Sequence, residues 1–204
     1  PTMIPEGSTD VTLRLSDDGM IEVVTGGCEL GQGLEDALSR ITAQALDFPQ
    51  ALDLLVPRIQ IIPGSTDHTT SRMLTSASQQ VFLTGGAILR AAVKFKKQLF
   101  QSAARVLQKP LGALELKPDG VGENNGVFIS LENLAQKCVR SGQLPTVHEI
   151  YTPPVKNMFP PEIVTKVGPD QRMVPSLGYV AAAVAVAVNE KTGRVRVLKV
   201  ALAQ

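Results

Sequence analysis

The chain has 204 residues, of which 44% are hydrophobic and 19% charged, a composition that excludes an extended disordered chain. The formal net charge is +1 and the Lys and Arg residues are scattered, which argues against nucleic acid or a membrane surface as a partner. Cys28 and Cys138 lie far apart without neighbouring Cys or paired His, which fits neither a disulfide framework nor a zinc site and predicts a reducing, cytoplasmic location.

In the first half of the chain, apolar residues that alternate with polar ones predict strands, and apolar residues that recur every three or four positions predict helices. The predicted elements are a hairpin of strands 11–15 and 20–24, a Gly-rich loop, a helix over 34–46, a strand over 57–62, a long polar loop over 63–71 and a long helix from about Val81 to Arg105.

The second half predicts mixed elements of the same kinds. They are a hairpin of strands 113–116 and 127–129, a short helix over 131–139, a Pro-dense connection over 151–161 and a third hairpin of strands 179–188 and 194–202. Strands and helices follow one another without regular alternation, so we predict an α+β fold. We expect one domain with two lobes, 1–110 carrying the Gly-rich loops and 111–204 carrying hairpins and the short helix.

Both ends of the chain predict a fragment of a longer protein. The first residue is Pro1, and no basic-then-apolar leader follows it. The most apolar run, 179–188, is far shorter than the roughly 20 residues that span a bilayer, so it predicts a core strand. The final strand runs to the C terminus without a turn or cap. We therefore expect the fold to continue in a parent protein, and exposed strand edges to favour a homo-oligomer.

Two loops have the composition of ligand-binding segments. The first is Gly26-Gly27-Cys28-Glu29-Leu30-Gly31-Gln32-Gly33, where glycines permit close backbone approach and the following helix offers N–H groups to an anion such as phosphate. The alternative is a plain strand-to-helix turn. The second is Thr75-Ser76-Ala77-Ser78-Gln79-Gln80 at the start of the long helix, for which helix capping is the alternative. We predict that the two loops converge on one ligand.

These motifs together resemble the molybdenum-binding subunits of the xanthine dehydrogenase and aldehyde oxidoreductase family. The first loop is similar to the family's Gly-x-Glu-x-Gly-Gln-Gly loop. Five further segments resemble the family's sequence and occur in the family's order: Asp18-Gly19-x-Ile21-x-Val23, Gly64-Ser65-Thr66-Asp67, Thr75-Ser76-Ala77-Ser78, Thr84-Gly85-Gly86-Ala87-Ile88 and Thr192-Gly193-Arg194-Val195-Arg196-Val197-Leu198. The resemblance covers nearly the whole chain.

The resemblance implies a cradle for molybdopterin, the molybdenum cofactor, in its plain form or as a cytosine dinucleotide. Its residues would be Gly31, Gln32, Gly33, Ser76, Ala77, Ser78, Gln79 and Gln80. In the family the pterin dithiolene holds the metal, so no metal ligand is expected from this chain and Cys28 is read as a packing residue. Iron–sulfur clusters and FAD, which carry the electrons away, are expected elsewhere in the parent enzyme, on domains or subunits that would be partners of this segment.

No catalytic residue is predicted within the chain. The family's catalytic glutamate, which acts as a base, lies in a Gly-x-Gly-Glu motif near the subunit's C-terminal end, whereas Gly120-Val121-Gly122-Glu123 precedes the last strands and is surrounded by turn-forming residues. We read it as an exposed turn. Glu29 is expected to order its loop by accepting backbone hydrogen bonds.

Three further polar residues are weaker candidates. His68 and His148 lack a partner pattern and are read as surface or structural residues, and Arg72 is either a phosphate contact or a solvated loop cation.

The sequence thus favours a fragment of a molybdenum hydroxylase, inactive alone, whose parent oxidises a purine or related N-heterocycle. The alternatives are an aldehyde oxidoreductase of the same family and a non-catalytic binding or assembly module that keeps the fold. A nucleotide-binding domain of an unrelated kind is disfavoured because no Gly-Lys-Ser/Thr follows the first loop.

Overall fold

The computed structural model describes residues 8–46, 56–64, 75, 79–117, 119–153 and 180–203. Its mixture of helices and small sheets confirms the predicted α+β class. In chain order the elements are β1 (Thr9–Leu15), β2 (Ile21–Thr25), α1 (Leu34–Ala45), β3 (Ile59–Ile62), α2 (Gln79–Leu107), β4 (Glu115–Lys117), β5 (Gly120–Gly122), β6 (Phe128–Ser130), α3 (Leu131–Arg140), β7 (Thr146–Tyr151), β8 (Ala181–Val188) and β9 (Val195–Ala203).

The largest sheet has the strand order β3-β2-β1-β7. The predicted first hairpin is confirmed: β1 and β2 are antiparallel, with Leu13 opposite Val23. Its turn is closed by the side chains of Ser16 and Asp18, whose oxygens accept the Met20 N–H at 2.9 and 3.2 Å. β7 pairs antiparallel with the other edge of β1, and β3 lies parallel to β2. The strand predicted from residue 57 begins at Ile59, because Pro57 has no N–H for a ladder and lies in a 3-10 turn.

Helices α1 and α2 pack on this sheet and on each other, and their apolar faces join the core formed by β1 and β2. Close packing depends on two adjacent glycines of α2. A Cβ on Gly85 would lie 3.3 Å from Ile41 Cδ1 on α1, and a Cβ on Gly86 would lie 2.7 Å from Tyr151 Cε1 on β7. The Thr-Gly-Gly-Ala segment of α2 therefore has a packing role, since only small residues fit between its neighbours.

A second small sheet, β4-β5-β6, is antiparallel and packs with α3. A two-stranded hairpin was expected here, and the structure corrects this to three strands. Gly120, Val121 and Gly122 form the buried central strand, so the expected exposed turn over Gly120–Glu123 is also wrong. The two glycines are needed because a Cβ on Gly120 would lie 2.1 Å from the Ile129 carbonyl oxygen, and one on Gly122 would lie 2.5 Å from the Val127 carbonyl oxygen.

The contacts divide the chain into two compact units, one holding the described residues 8–153 and the other residues 180–203. Residues 111–151 thus share a unit with residues 8–110, on either side of the predicted lobe boundary. The second unit is the predicted third hairpin, in which β8 and β9 are antiparallel with Val184 opposite Val200. Both of these side chains are more than half exposed. No helix in the described parts of the chain is long and apolar enough to cross a membrane.

Candidate functional site

The loop between β2 and α1, residues 26–33, presents the backbone of its second half, residues 30–33, to solvent. Gly31 and Gly33 have φ angles of 95° and 77°, in the left-handed region that favours glycine. A Cβ added to either residue would meet nothing within 4 Å, and residues 30–33 are exposed. A flat group could therefore approach the main chain of this loop closely.

The carboxylate of Glu29 organises the loop. Its Oε1 accepts the N–H groups of Gly31 and Gly33 at 2.7 and 3.0 Å, and its Oε2 accepts the N–H of Glu35, in the first turn of α1, at 3.1 Å. The hydrogen bond from the Glu35 N–H, followed by those from Gly33 and Gly31, lowers the pKa of Glu29 below the usual carboxyl value. These are the backbone hydrogen bonds that the sequence predicted for Glu29.

The amide of Gln32 folds back on the same loop. Its Oε1 accepts the Leu30 N–H at 2.6 Å and its Nε2 donates to the Cys28 carbonyl oxygen at 3.1 Å. Gln32 is exposed nonetheless, so the same amide can exchange these bonds for bonds to a ligand. Cys28 is exposed too, which corrects the expectation that it is a packing residue.

Two segments that are distant in sequence converge beside this loop. The Gly64 N–H donates to the Gly27 carbonyl oxygen at 3.0 Å, and the Cys28 N–H donates to Thr75 Oγ1 at 3.0 Å. A Cβ on Gly64 would lie 2.8 Å from the Gly26 carbonyl oxygen. The first Gly-rich loop, the segment after β3 and the residues before α2 therefore meet at one place, as far as the described residues define them.

Gln80 fixes the start of α2 against the first loop. It is 5% exposed, its Oε1 accepts the Thr84 hydroxyl at 2.9 Å, and its Nε2 donates to Thr75 Oγ1 at 3.4 Å. The amide lies against Gly27, where a Cβ would be 2.7 Å from Gln80 Oε1. A glycine at position 27 thus makes room for the Gln80 amide of the second predicted ligand loop to pack against the first.

The residues that the sequence predicts to bind the cofactor differ in their exposure to solvent. Gly31, Gln32 and Gly33 lie on the exposed rim of the first loop, whereas Gln79 and Gln80 are 3% and 5% exposed at the start of α2. Ser76, Ala77 and Ser78, like His68 and Arg72, lie outside the described residues. Contact between any of these residues and a cofactor stays a prediction.

The sequence suggested Thr75 only as a possible helix cap within the second loop, whereas in the structure its hydroxyl oxygen accepts the Cys28 N–H and the Gln80 amide. Its only sequence signal was its place in the Thr-Ser-Ala-Ser motif. His148 lies on β7 with Nδ1 3.0 Å from Thr12 Oγ1 and Nε2 4.0 Å from an Asp10 carboxylate oxygen, a setting that fits the structural role expected for it.

Glu123 is a poor candidate for the catalytic base. Its carboxylate forms an ion pair with Lys109 at 3.0 Å and accepts the Val127 N–H at 3.3 Å. The hydrogen bond from Lys109, then that from Val127, lowers its pKa below the usual carboxyl value. A general base works best with a pKa near the operating pH, and Glu123 is shifted in the opposite direction.

The residues present fit a flat, phosphate-bearing group better than a bare ion. The glycine backbone of the first loop is open to a planar ligand, and the polar residues near the start of α2 adjoin it through Thr75 and Gln80. Among the residues that the structure describes, no group of three or more His, Cys, Asp or Glu could hold a metal ion.

Comparisons with known proteins identify the family of the chain. A family model described as molybdopterin cofactor-binding domain matches residues 2–204. The chain is 27% identical over 133 residues to a nicotinate dehydrogenase subunit from Pseudomonas putida, covering 65% of this chain and 11% of that protein. It is 26% identical over 125 residues to a probable hypoxanthine oxidase of Escherichia coli, covering 61% of this chain and 12% of that protein.

Among solved structures, quinoline 2-oxidoreductase from Pseudomonas putida 86 matches 95% of this chain and 22% of its own, with a TM-score of 0.65 and 20% identity, a likeness of fold. The chain spans about a tenth of the length of the two curated relatives. The motif resemblance seen in the sequence is thus confirmed: the chain belongs to the molybdopterin cofactor-binding domain family of molybdenum hydroxylases.

Proposed function

We propose that this chain is the cofactor-cradling part of a molybdenum hydroxylase that oxidises a purine or related N-heterocycle. The observation that carries the proposal is the convergence of the two ligand loops, through the Cys28 N–H to Thr75 bond and through Gln80 packed against Gly27. An open glycine backbone beside the start of α2, whose first turn holds no acidic residue, suits a ligand that has both a flat ring system and a phosphate. The relatives named for nicotinate and hypoxanthine support an N-heterocyclic substrate.

In this proposal, Gly31, Gln32 and Gly33 would meet the pterin of the molybdopterin, and residues 76–80 would contact the same group. Bound molybdopterin supplies the redox-active molybdenum that takes up electrons from the substrate. The chain's own contribution is to bind and orient that group, because Glu123 is paired with Lys109 and Glu29 is committed to its loop. The catalytic base is therefore assigned to another part of the parent protein, and the isolated segment is inactive.

The parent would act in the cytoplasm together with iron–sulfur and flavin domains or subunits, and its cofactor would be molybdopterin itself or the cytosine dinucleotide. The hairpin β8–β9 supports the idea of a larger assembly. Val184, Val197 and Leu202 are each more than half exposed, and an apolar strand such as β8 is typical of the interior of a sheet. Residues of the parent outside this chain would cover these side chains.

The test is metal and pterin analysis of the parent protein, comparing wild type with Gln32→Ala and with Gln136→Ala as the control. Gln136 is an exposed glutamine of α3, away from both ligand loops. We expect molybdenum in the wild type and in Gln136→Ala, and a loss of molybdenum and of xanthine oxidation in Gln32→Ala. A wild-type protein that holds neither molybdenum nor pterin would refute the proposal and favour a non-catalytic module. Oxidation of aldehydes but not of N-heterocycles by the loaded protein would refute the substrate class alone.

A further inference from the structure

The N terminus of α1 already holds an anion that belongs to the protein. The N-cap, Gly33, has no side chain to cap the helix, so the first N–H groups of α1 would otherwise lack partners. Glu29, four residues earlier, accepts two N–H groups at this end of the helix, that of the N-cap Gly33 and that of Glu35, the second helical residue, in addition to the Gly31 N–H of the loop. The positive end of the helix dipole, where a phosphate would otherwise bind, is thereby neutralised from within.

Two more acidic residues reinforce this effect. Glu35 and Asp36 lie in the first turn of α1, and Asp36 is paired with Arg40 one turn later. A phosphate that bound the Gly33 and Glu35 N–H groups would meet the Glu29 carboxylate, whose oxygens already lie 3.0 and 3.1 Å from those two nitrogens. Like charges at such distances disfavour binding, so the helix start rejects a second anion.

We propose that Glu29 is an internal anion with two roles: it holds the loop 28–33 in shape before any ligand binds, and it keeps solution phosphate away from the N terminus of α1. The loop then meets a ligand through its exposed backbone and Gln32, and the phosphate of a ligand is directed elsewhere in the site. The identity of that ligand rests on the proposed function. The ordering of the loop and the exclusion of phosphate do not, and they are measured without cofactor.

The first test is hydrogen exchange of the peptide that spans residues 30–36, measured by mass spectrometry on the intact protein. In Glu29→Ala we expect exchange to speed up by about fivefold for each hydrogen bond lost. Glu29→Gln should lie between wild type and Glu29→Ala, because its one amide oxygen can still accept from Gly31 and Gly33 but its nitrogen cannot accept from Glu35.

The matched control is Glu35→Gln, which removes one charge from the same helix start but leaves the Glu35 backbone N–H in place. We expect this variant to exchange like wild type. Equal exchange in Glu29→Ala and wild type would overturn the proposed ordering role, and so would an increase in Glu35→Gln as large as that in Glu29→Ala.

The second test adds inorganic phosphate and follows the same peptide. In Glu29→Ala, phosphate should take the place of the lost carboxylate and restore slow exchange, whereas wild type and Glu35→Gln should not respond. A wild-type response equal to that of the variant would show an open helix start and overturn the exclusion role. If Glu29→Ala does not fold, Glu29→Gln carries both tests. Absence of molybdenum from the parent would refute the proposed function and leave these results unaffected, whereas a failure of these tests leaves the molybdenum result standing.

Discussion

The contact between Gly27 and Gln80 predicts that a single methyl group at position 27 separates the two ligand loops. Gly27 does not have a positive φ, so alanine is compatible with its backbone and the cost comes from the contact alone. The added Cβ would lie 2.7 Å from Gln80 Oε1 and 3.0 Å from Leu34 Cδ2. Gln80 would have to move, and with it the bonds to Thr84 and Thr75.

The magnitude follows from those two bonds. The bond from Thr84 is 2.9 Å long and the bond to Thr75 is 3.4 Å, so the first is strong and the second weak. Neutral hydrogen bonds contribute about 0.5–1.5 kcal/mol each, and the pair predicts a loss of about 1–2 kcal/mol in the free energy of unfolding of Gly27→Ala.

The assay is urea unfolding of wild type, Gly27→Ala, Gln80→Ala and the double variant. Because Gln80→Ala removes the group that the new methyl would strike, Gly27→Ala should cost less in that background, by about 1 kcal/mol. Gly112→Ala is the control, since a Cβ on Gly112 would meet nothing within 4 Å. Costs of Gly27→Ala that agree within about 0.3 kcal/mol in the two backgrounds would refute the reasoning.

Three further outcomes are expected. Gly19→Ala should lower the free energy of unfolding by at least about 1–2 kcal/mol, because Gly19 has a φ of 86° and its Cβ would lie 2.4 Å from a backbone nitrogen at the start of α3. Urea unfolding measures this change, and a cost no larger than that of Gly112→Ala would contradict the prediction. Because the pKa of Glu123 is lowered, its carboxylate stabilises the fold above the usual carboxyl pKa, and this contribution is lost as pH falls through the lowered value. Below about pH 4, the thermal unfolding temperature of wild type should therefore fall more steeply with pH than that of Glu123→Gln. Parallel plots of unfolding temperature against pH for the two proteins would refute this prediction. The isolated chain should self-associate through its exposed hairpin, and Val184→Lys with Val200→Lys should reduce the sedimenting species toward the monomer; unchanged sedimentation would place the association elsewhere.

The elements with strong periodicity could be predicted from the sequence, whereas β5 could not. Leu34 and Leu38 recur at helical spacing, and both are buried on α1 as expected. β5, by contrast, is only Gly-Val-Gly, and glycine is depleted in strands. What makes it a strand is the pair of neighbours, β4 and β6, and the carbonyls of the chain around β6 leave no room for a Cβ at Gly120 or Gly122. That constraint is tertiary and is absent from the local sequence.

The convergence of the two ligand loops was predicted from their similar composition, but the groups that join them were not. The Cys28 N–H bonds to Thr75 across a wide gap in sequence, and Gln80 reaches Gly27 only because α1 and α2 pack side by side. Composition indicates which loops can bind a ligand. It does not indicate which of their polar groups bind other protein groups instead of a ligand. Gln32 and Gln80 are both glutamines of the predicted ligand loops, yet Gln32 is exposed and Gln80 is buried.

The two helix starts look alike in sequence, yet they differ in charge once the carboxylates are assigned. The start of α1 has Glu29 bonded to its N–H groups and Glu35 and Asp36 in its first turn, whereas the first turn of α2 has no acidic residue. An anion gains from a helix dipole only where the protein's own carboxylates have not already neutralised it. The general rule that a helix N terminus attracts phosphate therefore does not apply to α1. A loop that supplies its own anion contributes an ordered backbone surface to the site and does not bind a second anion.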